Sequence, residues 1–466
     1  MSRYKTSIVA ASTVVILILC SGCPREEPLP EWPLEAAKGS VEVVEAARPE
    51  GGAEGTLAVS DMTRPPVDGD VGWWPSLATA ADGTVHVSYT DAYNGAIHHA
   101  ERVDGEWKIT LVDSHGAVGK YTALTLSGDG TPHVLYYNQD NRLLRHAMRA
   151  DVDELDEDDR RRPPHAHEDW VYEVVDQGLE IGMAGRLMFG RDGILHAVYY
   201  GPSERVIHAY REPPEPGERG RWRRRIIDRD AAGSHSIVIG LGEDSEGGLH
   251  VSFSNWLVSS SHLKYGYLAP GASEWEVSKV EGVDDAGWKS GIVLDEQDRP
   301  LVAYLVLQKR QIRIARLEED GWKHFPLVER ANTMDISGAP DGPVVIAYEH
   351  LPGRGLRGAQ VRYLMRDDSK GDLGKGWTSF SIPKGDMSTY LSLAMTAEAQ
   401  PLIAFYRGDI RGLSVFAAGA VESAEVTEQL EAKESDDTAE GQTGEEESSA
   451  EDAAADEAAE SSEQAE

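Results

Sequence analysis

"GDGTPHVLYY", residues 128–137, decides the fold. A Gly-Asp-Gly turn leads into a run of Val, Leu and Tyr, which is how a hairpin turn entering a β-strand reads. The run recurs along the chain. "TVHVSY", "TPHVLY", "ILHAVY", "GLHVSF", "RPLVAY", "PVVIAY" and "PLIAFY" are seven versions of it, several preceded by Asp-Gly.

Each copy sits inside a longer unit. Upstream lies another strand-like run, as in "YTALTL", "AGRLMF" and "SIVIGL"; downstream lies a third, as in "AIHHAE", "LLRHAM" and "VIHAYR". A fourth run opens on tryptophan: "EWKITLVD", "DWVYEVVD", "RWRRRIID", "EWEVSKVE", "GWKHFPLV" and "GWTSFSIP". These tryptophans are Trp107, Trp170, Trp222, Trp275, Trp322 and Trp377, at spacings of 63, 52, 53, 47 and 55 residues. Four short alternating runs in a unit of about 50 residues describe one blade of a β-propeller. A single blade cannot bury both its faces, so such units are stable only when stacked in a ring.

The spacing predicts an all-β, seven-bladed propeller of four-stranded antiparallel blades over residues 55–419. The seventh copy lacks a fourth strand, and "GTLAVSDM" at 55–62 precedes the first unit with none before it. Residues 56–62 are therefore expected to pair with the last blade, closing the ring and removing two open strand edges. "VEVV" at 41–44 is a candidate for a further strand, and blade six reads as having a shortened first strand.

The two ends read differently. Arg3 and Lys5 precede an apolar run, Ile8–Leu19, of signal-peptide length and too short for a membrane span. "LCSGC", ending at Cys23, resembles a bacterial lipobox. That resemblance implies a signal peptide at 1–22, lipidation of Cys23, and a linker over 23–54. Pro24, where Asp would retain the protein in the inner membrane, implies sorting to the outer membrane. Without a second cysteine in the mature chain no disulfide is available, and stability rests on the core. From Glu422 to Glu466 there are 18 acidic residues against one lysine and no aromatic residue. Residues 420–466 thus read as a solvated acidic tail. The net charge of −35 argues against nucleic acid as a partner. An insertion at 151–168 reads as a solvated hairpin, since it lacks the glycine and ligand order of a calcium loop.

His133 has counterparts at His86, His196 and His250, and Leu301, Val344 and Leu402 are read at the same place in the other units. Side chains related by rotation around a ring lie on separate sheets and cannot converge on one metal. The histidines are therefore framework, and neither a metal nor a cofactor is expected.

A ligand would meet the axial mouth, where the chain enters each first strand and turns from second to third. The candidates there are Trp73, Trp74, Asp91, Tyr121, Asn138, Arg186, His235, Trp288, Lys289, Tyr390 and Arg407. Aromatic faces among polar groups suit a glycan or a protein segment. No G-x-S-x-G, H-E-x-x-H or phosphate-binding glycine loop is present. The phrase "W…VD…G.YT.L.L…G.PHV.YY…L.HA", from Trp107 to Ala147, resembles a repeat of uncharacterised exported bacterial β-propellers, loosely grouped with sialidase-like proteins. The resemblance covers about residues 56–418. It implies the fold and is nearly silent on activity; Ser-x-Asp-x-Gly-x-x-Trp boxes, WD40 pairs and kelch glycines are absent. The expectation is a monomeric, lipid-anchored envelope protein, held to the membrane by its lipid alone, that binds a glycan or another envelope protein without catalysis. The competing reading is a carbohydrate-active enzyme, a glycoside hydrolase, sialidase-like enzyme or polysaccharide lyase, using a pair such as Asp91 and Glu349 in the same pocket.

Overall fold

The computed structural model describes residues 31–46, 69–150 and 169–419, apart from 180, 204, 213–220, 232–237, 256–261, 282–284, 339–341, 354–357, 368–372 and 387–389. Residues 1–22, read as a signal peptide, together with Cys23, residues 56–62, the 151–168 insertion, His235 and residues 420–466 lie outside them.

Seven sheets follow one another, each built on an antiparallel run of strands in sequence order, and the sheets of blades 6 and 7 each take one further strand from residues 34–45. Blade 1 spans 71–113, blade 2 118–177, blade 3 183–228, blade 4 240–281, blade 5 286–328, blade 6 331–386 and blade 7 391–418. The innermost strand of each blade touches that of the next, and the innermost strand of blade 7 touches that of blade 1, so the ring is closed. Blade 6 has a full innermost strand, Ala331–Gly338; the short one is in blade 4, Gly240–Glu243.

The closing strand differs from the expected one. Blade 7 has only three strands of its own, and its fourth is β2 (Gly39–Glu45), antiparallel to Gly412–Ala418. Ahead of it, β1 (Leu34–Ala36) runs parallel to the outermost strand of blade 6, and the Trp32 indole donates to Leu327 O of blade 5 at 2.9 Å. Residues 32–45 of the segment read as linker are thus part of the propeller. Its fit has a chemical cause. The outermost strand of several blades ends, after a bulge, in an acid that accepts a bond from a tyrosine of the following blade. Tyr136 donates to Asp113 at 2.7 Å, Tyr199 to Asp176 at 2.9 Å, and Tyr304 to Glu281. Glu45 is the acid of blade 7, and Tyr89 of blade 1 donates to it.

The histidines and the outer tryptophans make one repeated joint. His86 stacks on His99, His133 on His146 and His196 on His208, with Nδ1···Nε2 distances of 3.1, 2.9 and 2.9 Å. The second ring of each pair takes the edge of the next blade's tryptophan: Trp170 on His99, Trp222 on His146 and Trp275 on His208. In blade 4, Tyr265 replaces the second histidine, bonding His250 at 2.7 Å and meeting Trp322. Blades 5 and 7 use Leu301 with Ile314 and Leu402 with Val415. In blade 6 the register puts Val345, not Val344, at this place, because Tyr348 aligns with Tyr304 of blade 5. His133 is 7% exposed and its ring also meets Phe189 of blade 3, so it belongs to the joint between blades.

Candidate functional site

One position of the innermost strands faces the next blade and the axis: Ser76, Ala123, Arg186, Gly240, Gly291, Asp335 and Ser392 in blade order. Ser76 Oγ accepts from Leu124 N at 2.9 Å and Ser392 Oγ from Leu77 N at 3.1 Å, stitching neighbouring blades. Where blades 4 and 5 meet, the strands approach so closely that only glycine fits at 240: a Cβ there would lie 2.8 Å from Ile292 N and 2.9 Å from Gly291 C.

The two charged members meet across the ring. Arg186 of blade 3 reaches Asp335 of blade 6 at 2.7 Å, while its Nε donates to Ile239 O of blade 4 at 3.0 Å. Asp335 Oδ2 also accepts from Leu393 N of blade 7 at 3.0 Å. This ion pair floors an axial cavity of about 80 Å³. Two residues earlier along the strands stand Trp74, Tyr121, Val238, Lys289, Thr333 and Tyr390, all lining that cavity.

Its wall has two halves. Blades 7, 1 and 2 contribute Tyr390, Trp74 and Tyr121, with ring centroids 5.2 Å apart for Trp74–Tyr390 and 5.4 Å for Trp74–Tyr121. Trp73, 3% exposed, backs this arc against Tyr390 at 5.0 Å and Tyr406 at 5.9 Å. Trp74 and Tyr121 both hold positive φ, 46° and 60°. A bulky side chain in that region costs about 1–3 kcal/mol and persists only where surrounding structure enforces it. Blades 3, 5 and 6 contribute the polar half: Arg186, Lys289, Thr333 and Asp335. Lys289 is half-buried and makes no hydrogen bond or ion pair among the described residues. Burial, reinforced by the Arg186 charge and opposed by Asp335 and Glu349, brings its ammonium down to about 8.

The candidate residues thus divide. Trp74, Tyr121, Arg186, Lys289 and Tyr390 line one cavity, and Trp73 supports it. Trp288 packs between the cores of neighbouring blades and is not in the lining. Asp91, Asn138 and Arg407 occupy equivalent strand ends and hold their own turns. Asp91 accepts from Tyr93 N and Asn94 N, Asn138 from Asn141 N, and Arg407 Nε pairs with Asp409 at 3.0 Å. Glu349 accepts from Asn332 at 2.7 Å, and neither it nor Asp91 lines the cavity. Asp335, Thr333 and Val238 were not among the residues expected here. The "TMDISG" run at 333–338 held the signal, an acid at the strand position where most blades carry a small residue.

A larger cavity, about 750 Å³, opens between blades 4 and 5 at the opposite ends of the strands. Its carboxylates are partly committed: Asp244 holds its own turn and His250, and Glu318 pairs with Arg299. Among the described residues no group of three or more His, Cys, Asp or Glu is arranged to hold a metal.

Ring closure, blade count and strand order define a seven-bladed β-propeller. Among solved structures the chain is similar to hydrazine synthase from Kuenenia stuttgartiensis, at 10% identity with a TM-score of 0.53, over 79% of this chain and 100% of that one. A mutant of AofleA from Arthrobotrys oligospora also matches, at 13% identity and a TM-score of 0.43, covering 74% of this chain and 90% of that one. So does NanB sialidase from Streptococcus pneumoniae, at 12% identity and a TM-score of 0.40, covering 76% and 70%. These likenesses concern the fold alone. No family model and no curated protein matches the chain.

Proposed function

We propose that this is an exported, lipid-anchored propeller of the cell envelope that binds a glycan at its axial mouth without transforming it. The carrying observation is the arc Tyr390–Trp74–Tyr121 facing the polar group Lys289, Thr333 and Arg186–Asp335. Aromatic faces take the apolar face of a sugar ring and nearby donors take its hydroxyls. A cavity of about 80 Å³ equals roughly three water volumes. A pyranose would therefore lie on the arc at the mouth, with only a substituent or chain end inside.

Binding is favoured over glycosidic chemistry by the acid inventory. Hydrolysis by paired carboxylates needs two of them about 5–10 Å apart. Among the described residues the cavity lining contains one carboxylate, Asp335, and Arg186 already engages it. The membrane anchor of the proposal is Cys23, with outer-membrane sorting and a monomeric state carried over from the sequence.

Trp74→Ala tests the site. Loss of one stacking face is expected to weaken oligosaccharide binding at least tenfold by calorimetry, within the 1–3 kcal/mol span typical of a stacking contact. Unchanged affinity, or shortened oligosaccharides by mass spectrometry, would sink the reading. Incorporation of labelled palmitate into the wild type and not into Cys23→Ser tests the anchor.

A further inference from the structure

We propose that Lys289 is a carbonyl-capturing amine, condensing reversibly with an aldehyde of a ligand seated in the axial cavity to form an imine. The proposal deepens the axial-site reading and rests on it.

The argument begins with what surrounds the nitrogen. Three lysines of the propeller pair with acids, Lys264 with Asp228 at 2.6 Å, Lys323 with Asp320 at 2.6 Å and Lys108 with Glu101 at 3.8 Å, and Lys38 and Lys279 are exposed to solvent. Lys289 has no such partner among the described residues, although it lines a cavity. The acid best placed to neutralise it, Asp335, is committed to Arg186 and to two backbone N–H groups, of Ile336 and Leu393. That commitment also fixes the guanidinium in the same cavity, where its charge works against a second cation. A desolvated lysine beside another cation is the standard way to make a nucleophilic amine near neutral pH.

Burial is the main cause that lowers Lys289 to about 8, with the Arg186 charge adding to it and Asp335 and Glu349 opposing it. About one tenth is then neutral at pH 7, against well under one in a thousand for an ordinary lysine. Size agrees with chemistry, since the cavity accepts a few heavy atoms and the aromatic arc flanks the entrance.

The step balances without an oxidant or reductant. The neutral amine nitrogen bonds to the carbonyl carbon, and the carbonyl electron pair moves to oxygen, which takes a proton. The resulting carbinolamine loses its hydroxyl and the remaining nitrogen proton as water, leaving C=N. Hydrolysis reverses it. An aldehyde offered by a small molecule or by the open-chain reducing end of a sugar would react alike.

Full-length protein is treated with glycolaldehyde or with maltose and cyanoborohydride across pH 6–10, and adducts are mapped by peptide mass spectrometry. Lys289 is expected to be labelled at least about tenfold faster than Lys108, Lys264 and Lys323, with a rate midpoint near pH 8, as for other depressed amines. Lys289→Arg keeps the charge and removes the adduct. Glycolaldehyde labelling without maltose labelling assigns the source as a small aldehyde, and the converse assigns a sugar end. Labelling of Lys289 no faster than the other three, or a rate still rising at pH 10, overturns the proposal. Maltitol, which has no aldehyde, separates the two readings in calorimetry. Its binding without any Lys289 adduct overturns the amine and keeps the axial site, whereas absence of both overturns both.

Discussion

His133 shows how a titratable residue becomes a structural part. Burial, with His146 beside it, drives its imidazolium down to about 3, and His208 falls to about 3 and His196 to about 4. All are depressed below the ordinary value of about 6.5. The folded state therefore refuses protons that the unfolded chain accepts. Stability is full above about pH 6.5 and is lost as pH falls from there toward the folded values. At pH 5 each such histidine costs on the order of 2 kcal/mol relative to neutral pH. Blade 5 shows a non-titrating version of the joint, Leu301 with Ile314. Replacing His133 and His146 by Leu and Ile is expected to preserve the fold and to reduce the drop in Tm between pH 7 and pH 5. An equal drop in both proteins would contradict the assignment. The framework role of these histidines was legible because it repeats. Their pairing was not, because first and second members lie on different strands, and only register brings 133 against 146.

Among the elements, β2 completes blade 7 and ties it to blade 1 through Glu42 and Glu45. Its "EVVE" at 42–45 parallels "EVVD" at 173–176 in blade 2, and both end in the acid that receives a neighbour's tyrosine. Spacing to the next unit favours 56–62. The decisive property was the terminal acid, whose partner Tyr89 is 44 residues away and whose second contact is His98 at 3.2 Å. Blade number, strand order and the existence of an N-terminal closing strand could be read from periodicity; which strand closes could be read only from this chemistry. Glu45→Ala strips the acceptor from a buried Tyr89. The expected loss is about 1–3 kcal/mol in denaturant unfolding, the cost of an unsatisfied buried donor. Glu45→Asp, as at Asp113 and Asp176, should recover part of it. A loss below about 0.5 kcal/mol, typical of a surface change, would remove Glu45 from this role.

At the scale of the molecule, the Arg186–Asp335 pair joins blades that are not neighbours. Its residues are 149 apart in sequence, and no local pattern announces such a contact; Arg186 was recognisable as a rim residue, its partner was not. Asp335 alone serves blade 3 through the arginine and blade 7 through Leu393 N. Asp335→Ala leaves the Arg186 guanidinium without its acid over the axis and removes the side-chain acceptor of Leu393 N and Ile336 N. A cost of about 2–4 kcal/mol is expected, below or within the range for breaking a buried pair because Arg186 keeps some water contact. The double change with Arg186→Met should restore part of it in equilibrium unfolding. Additive losses would mean that the two residues are not coupled.

The path of the first strands has a mechanical consequence. Tension entering from the N-terminal side reaches Trp32 on blade 5, then β1 on blade 6, and only afterwards β2 on blade 7. Where the load runs along a strand, its ladder bonds lie across the pull and resist together in shear, instead of opening one by one as a zipper would. The propeller thus meets a tug at its leading end with successive attachments on three blades, and the strand that closes the ring is the last of them to bear the load.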